Sequence, residues 1–141
     1  MTELELTFEW QHLGDLSLDG SGRIVFPKAT LRPGLYRFDV ESQSGCQSYV
    51  GETDQLDRRF QHYRTPEPTQ ATNIRLNRTI SDSLREGGTV RLSILEEPAR
   101  LFLNGKSVAP DLRAKAVRVL FECASLIDLT GSSCTILNAR S

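Results

Sequence analysis

The sequence predicts an α/β (α+β) fold: a small, mainly antiparallel three-stranded central sheet flanked by helices, with an N-terminal strand extension and an inserted hairpin. Three observations predict it. Short runs alternate apolar and polar residues with the period of two that marks a half-buried strand, as in Leu4, Leu6, Phe8 and Trp10 set against Glu3, Glu5, Thr7 and Glu9. Longer segments carry helical spacing, with Leu56, Phe60 and Tyr63 at i, i+4, i+7 and Leu76, Ile80 and Leu84 at i, i+4, i+8. Turn formers separate these segments, among them Asp19-Gly20-Ser21-Gly22, Gly87-Gly88 and Asn104-Gly105.

Residues 1–32 form the extension, packed on the core. Its strand runs over 4–10, a turn follows at 19–22, and Arg23-Ile24-Val25-Phe26 is a short partner strand. Pro27 and Pro33 close the extension, because proline cannot donate to a strand ladder. Residues 33–141 form the main unit of a single compact domain. Tyr36, Phe38 and Val40 share one face of its first strand, residues 41–45 supply a polar hairpin loop, and 47–51 return. Thr53 or Asp54 caps the first helix, and Asp54 or Asp57 suits its positive end. Thr65-Pro66-Glu67-Pro68-Thr69 breaks that helix. A second helix covers 71–86 and stops at Gly87-Gly88. Residues 89–95 are β-branched and alternating, a third core strand. Within 96–110, Leu101-Phe102-Leu103 and then Asn104-Gly105 predict the inserted hairpin. Asp111 caps a last helix, with Ala116, Val119, Cys123 and Ile127 along one side, and Thr135-Ile136-Leu137-Asn138 ends the fold.

The 141 residues match one ordinary domain and are enough to bury a core without staples. Hydrophobic residues at 38% and charged residues at 25% exclude wholesale disorder. No apolar run is long enough to span a bilayer, so no membrane partner is expected. The acidic, alternating start is unlike a secretory signal, and a soluble cytoplasmic protein is expected. Cys46, Cys123 and Cys134 lack zinc-like spacing, and their odd number points to reduced thiols, Cys123 being a small core residue. The net charge of -1 is unlike that of a typical nucleic-acid binder. It is uneven, however: acidic residues dominate the start, while Arg58, Arg59, Arg64, Arg75, Arg78, Arg85 and Arg91 crowd the middle. A local basic face binds phosphate even when the total is near zero.

Gly34-Leu35-Tyr36 and Tyr49-Val50-Gly51 lie on two successive strands, and Arg59, His62 and Tyr63 follow on the next helix. Glu122 on the last helix and Asn138 near the end complete the set. This ordered set resembles the GIY-YIG nuclease superfamily, whose signature is a Gly-Ile-Tyr strand, a hairpin, a Tyr-Ile-Gly strand and a helix carrying an essential arginine. Here the triplets read GLY and YVG, and the resemblance covers residues 33–141. It implies a metal-dependent endonuclease hydrolysing phosphodiester bonds, most simply in DNA, with 5′-phosphate and 3′-hydroxyl products and Mg²⁺ (or Mn²⁺) as cofactor. The alternative is a non-catalytic nucleic-acid-binding or protein-interaction subunit on the same scaffold, and RNA stays open as substrate. A second copy of the chain or a recruiting protein is a further partner class left open.

The resemblance implies the catalytic roles residue by residue. Glu122 holds the metal; without the resemblance it reads as a solvated partner of Arg118 at i, i+4. Arg59, ten positions after Tyr49, holds the scissile phosphate, with Arg58 facing about 100° away around the helix. Tyr36 or Tyr49 takes the proton of the attacking water as a phenolate favoured by the nearby cations. Tyr63 assists the base or positions the water. Gly34, Gly51, His62 and Asn138 support the site, the glycines by allowing another group close to the backbone. Arg58, Arg64, Arg75, Asn77 and Arg78 are the candidate nucleic-acid contacts. Glu52, just after the YVG triplet, departs from the family pattern and either lowers the local positive potential or adds a metal contact.

Overall fold

The computed structural model describes residues 1–96 and 99–138. Its elements run β1 (Leu4–Phe8), β2 (Gln11–Asp15), β3 (Ser17–Leu18), β4 (Ile24–Val25), β5 (Gly34–Ser42), β6 (Gly45–Thr53), α1 (Leu56–Arg64), α2 (Ala71–Arg85), β7 (Thr89–Leu95), β8 (Ala99–Leu103), β9 (Lys106–Val108), α3 (Lys115–Leu129) and β10 (Thr135–Ile136). Residues 97 and 98 of the insert and 139–141 of the main unit lie outside the described residues. The fold is mixed α/β, with mainly antiparallel sheets and three helices among the described residues.

The expected three core strands are present in antiparallel order β6-β5-β7, but the sheet they form has five strands, β10-β6-β5-β7-β2. The two additions come from the ends of the chain. β2 pairs antiparallel with β7, and β10 pairs parallel with β6. The expected extension strand is β1, yet its partner is not residues 23–26. β1 pairs with β8 of the insert, while Ile24 and Val25 pair with Leu18 and Ser17. The insert is the expected hairpin, with Leu103 opposite Lys106 across Asn104-Gly105. Both turn residues have positive φ, 50° and 79°, as a two-residue turn of this kind requires.

Strand alternation divides the core between the two faces of the sheet. Tyr36, Phe38 and Val40 pack with Leu56, Phe60 and Tyr63 of α1, Leu76 and Ile80 of α2, and Leu16 and Ile24 of the extension. Leu35, Val50 and Leu95 on the other face pack with Leu112 and with Phe121 and Leu129 of α3; Leu6, Phe8 and Trp10 cover them. Among the described residues no helix is long and apolar enough to cross a membrane.

Three local expectations are corrected. Neither Thr53 nor Asp54 caps α1: the N–H groups of Leu56 and Asp57 donate to the carbonyls of Arg32 and Thr30, so the chain entering β5 supplies the cap. Ala116, Val119, Cys123 and Ile127 are exposed, and α3 instead buries Arg118, Phe121, Ser125 and Leu129. A charged residue on the inner face shifted the apparent stripe. Cys46 and Cys134 are joined in a disulfide, with Cα atoms 4.6 Å apart, leaving Cys123 as the free thiol. Sequence spacing gave no hint that β10 would lie beside the start of β6.

Candidate active site

The hairpin register explains the glycines. Tyr36 stands opposite Gly51, and a Cβ on Gly51 would collide with the Tyr36 phenol, so the missing side chain makes room for the ring. At Gly34 a Cβ would lie 2.9 Å from the Leu95 carbonyl oxygen and 3.2 Å from Leu56, so that glycine admits β7 and α1. Tyr36 and Tyr63 are fully buried, and their hydroxyls share a hydrogen bond of 2.6 Å. The half-buried Tyr49 ring lies 6.3 Å from the ring of Tyr36. Burial foremost, then the neighbouring Tyr49, raises the Tyr36 phenol well above the ordinary tyrosine value, against the opposing pull of Arg59. Burial and the other two phenols likewise raise Tyr63. Burial thus favours the protonated form of Tyr36 and Tyr63, which act as hydrogen-bonding groups toward each other.

Arg59 projects from α1 beside these phenols. Burial works against its charge, but Tyr36 and Tyr63 favour it, and its proton affinity ends above that of an ordinary arginine. Arg58 points elsewhere and pairs with Asp54 at 2.7 Å. His62 is half-buried on the same helix.

The outer edge of β6 brings in the rest. Leu137 N–H donates to the Ser48 carbonyl at 2.7 Å. Asn138 then acts as a bidentate clamp: its Oδ1 accepts from Val50 N–H at 3.0 Å and its Nδ2 donates to Val50 C=O at 2.7 Å. Two residues on, the same edge presents the Glu52 N–H, and this group faces the Glu122 carboxylate. α3 thus packs on the sheet face opposite α1, yet its glutamate reaches the open edge of β6, within the field of Arg59. Burial, then the neighbouring Glu52 carboxylate, raises Glu122 above the ordinary glutamate range; the Glu52 N–H, Lys115 and Arg59 act in the opposite sense. Arg118 does not pair with Glu122. It is buried and donates from Nε to Glu52 Oε2 at 2.7 Å.

Three of the candidate nucleic-acid contacts spend donors on the fold. Arg64 bonds the Ile24 carbonyl and pairs with Asp19, Arg75 bonds the Leu137 carbonyl, and Asn77 bonds the Tyr63 carbonyl at 2.7 Å. Arg58 and Arg78 are exposed at the surface. A cleft of about 730 Å³ at the base of the insert is lined by Arg32, Glu96, Asp111 and Arg113 among others, and by none of the tyrosines, Arg59 or Glu122. The burial of Arg118 against Glu52 is what sequence reasoning missed; its signal is the unusual Glu52 beside the YVG triplet.

The donors at the β6 edge fit a hard divalent cation. Glu122 offers one half-buried carboxylate beside that of Glu52, and such ions take one or two carboxylates and keep several waters. Asp39, Cys46 and Cys134 also converge, but the two sulfurs are bonded to each other and are not thiolate ligands.

The class defined here is an α/β domain with a tyrosine–arginine–glutamate site at a strand edge. No protein-family model and no curated protein matches the chain. Among solved structures it is similar to a mutant of bacteriophage T4 EndoII, with a TM-score of 0.48 and 21% sequence identity. That match covers 60% of this chain and 64% of the other, less than two thirds of its length.

Proposed function

We propose that the chain is a metal-dependent endonuclease of the GIY-YIG type that hydrolyses phosphodiester bonds in DNA with Mg²⁺ or Mn²⁺, leaving 5′-phosphate and 3′-hydroxyl ends. The observation that supports this reading is that the hydrogen-bonded Tyr36 and Tyr63 lie beside Arg59, and that Glu122, from an element far away in sequence, lies within the field of Arg59. Glu122 is the residue that would hold the ion, which when bound supplies charge neutralisation at the phosphate and support for the leaving oxygen. Arg59, kept cationic by its phenol neighbours, binds the scissile phosphate and meets the charge that develops on it. Tyr49 is the phenol of the three with solvent access, so it is the group that takes the proton of the attacking water. The buried Tyr36–Tyr63 pair orients Tyr49 and Arg59 rather than ionising.

The test is supercoiled plasmid with Mg²⁺, with Mn²⁺, with chelator, and with Glu122→Ala. Wild type is expected to nick or cut with either ion, and the nicks to be sealed by ligase, which needs these end groups. Chelator and Glu122→Ala are expected to abolish cutting. Full cutting by Glu122→Ala removes the metal role of that residue. A second reading, a nucleic-acid-binding module without turnover, draws on the extra carboxylate of Glu52 beside Glu122. Duplex binding by a wild type inert with both ions would favour it.

A further inference from the structure

Two carboxylates, Glu52 and Glu122, stand together at the β6 edge, and of the two only Glu52 is held in ion pairs among the described residues. Both oxygens of Glu52 face positive groups: Oε2 accepts from Arg118 Nε at 2.7 Å, and Oε1 lies 3.8 Å from Lys115 Nζ. Arg118 is held from its other side as well, its Nη1 donating to the carbonyls of Leu112 at 2.8 Å and Arg113 at 3.0 Å. The Arg118 and Glu52 side chains are 6% and 15% exposed, so the pair is shielded from solvent and its charge-assisted bond is strong. Glu122 sits one helical turn after Arg118 on α3, and Arg118 directs Nε to Glu52 and Nη1 to two carbonyls.

We propose that Arg118 is a positioning residue that withholds the Glu52 carboxylate from the divalent ion, leaving Glu122 as the one protein carboxylate on it. The inference rests on the nuclease reading above. Its physical basis is competition: an unpaired carboxylate beside Glu122 would join the ion as a second ligand, since hard cations of this size accept two. A second carboxylate on the ion would also neutralise part of the charge that the ion would otherwise offer to a phosphate. The same bond ties β6 to α3 and so fixes Glu122 against the tyrosine strand.

The experiment measures Mn²⁺ affinity of the folded protein from the spectroscopic signal of free Mn²⁺, alongside plasmid nicking. The variants are Glu52→Gln, Arg118→Met and the two combined. Glu52→Gln is expected to keep Mn²⁺ affinity within about twofold of wild type, because Glu52 is not a ligand. Arg118→Met, with Glu52 released, is expected to bind Mn²⁺ about fivefold or more tightly and to turn over about tenfold more slowly. Adding Glu52→Gln to Arg118→Met is expected to return Mn²⁺ affinity to the wild-type level, a rescue that a merely structural ion pair would not give. A loss of about tenfold or more in Glu52→Gln that persists when Arg118→Met is added makes Glu52 a contributor to ion binding and overturns the proposal. Equal Mn²⁺ affinity in Arg118→Met and wild type also overturns it. If Arg118→Met does not fold, Glu52→Gln decides alone. A wild type that binds no Mn²⁺ and cuts nothing removes the nuclease reading and this inference together; one that binds and nicks while Glu52→Gln loses affinity removes only the inference.

Discussion

At the scale of single residues, the site stores its tension in Glu122. Its carboxyl is raised above the ordinary glutamate value, by burial first and Glu52 second. The folded chain therefore keeps this proton to higher pH than the unfolded chain does. Stability falls as pH rises from the ordinary glutamate value to the raised one and is flat above it. In the proposed metal role the carboxylate is the form that would bind the ion, so ion binding would have the opposite trend through the same window. Glu122→Gln is accordingly expected to melt slightly above wild type at pH 8 without ions, to match it near pH 4, and to gain nothing from added Mn²⁺. Melting curves at the two pH values, with and without Mn²⁺, check this; a variant less stable than wild type at pH 8 contradicts the assigned burial. Gly51 gives a second residue-scale test. Alanine there pushes into the Tyr36 phenol, which must leave its bond to Tyr63 or displace β6. Overpacking of this kind costs about 1–3 kcal/mol, and the Tyr63 hydroxyl left without its partner adds about 1–3. Gly51→Ala is expected to lower Tm by several degrees and to slow cutting. The polar Gly20, where an added Cβ meets nothing within 4 Å, serves as the neutral control.

At the scale of elements, the C-terminal segment is the clamp that sets the height of the β6 edge. The Cys46–Cys134 disulfide, the β10 pairing, the Leu137 bonds to Ser48 and Arg75, and the Asn138 amide on Val50 follow one another along a few residues. Alkylation of the denatured, unreduced protein is expected to label one thiol, Cys123, and reduction to expose two more. The bond closes a separation of 88 residues, for which the chain-entropy model gives about 4–5 kcal/mol, so Cys134→Ser is expected to lose a large part of that stability. Three labelled thiols before reduction would remove the clamp. These elements also mark the limits of reading the chain. The hairpin of β5 and β6, the helices α1 and α2, the strand β7 and the Asn104-Gly105 turn were legible, because each is specified by its own period and its own turn residues. The order of Tyr36, Tyr49, Arg59, Tyr63 and Glu122 along the chain is what marked them as candidates. The rest depends on partners remote in sequence. The α1 cap is a pair of carbonyls at residues 30 and 32, the inner face of α3 is disguised by an arginine neutralised by Glu52, and the disulfide joins residues that local pattern does not connect. β2 was missed because the strand breaks after Phe8, the chain passes to another sheet, and the register shifts between His12 and Gly14.

At the scale of the molecule, β2 and β10 pair along the two edges of one sheet, and residues of the extension lie in its buried clusters. β2 covers the outer edge of β7, and the Arg32 and Thr30 carbonyls start α1, the helix that carries Arg59. Leu16 and Ile24 lie in the same buried cluster as Tyr36 and Tyr63, while Leu6, Phe8 and Trp10 cover the cluster beneath α3. Burial of Leu16 and Ile24 alone is worth about 3–6 kcal/mol, against the roughly 5–15 kcal/mol that holds a domain folded. Removing the extension also bares the edge of β7, an unpaired ladder that recruits other chains. A chain beginning at residue 33 is therefore expected to lack a cooperative melting transition and to associate, by sedimentation, while showing no nicking. The measurement separates two architectures. If residues 1–32 were an appendage on a self-sufficient unit, the shortened chain would melt cooperatively near the wild-type temperature and keep Arg59 in place. If they complete the sheet and start α1, loss of the transition and loss of the site must occur together, because the same contacts hold both.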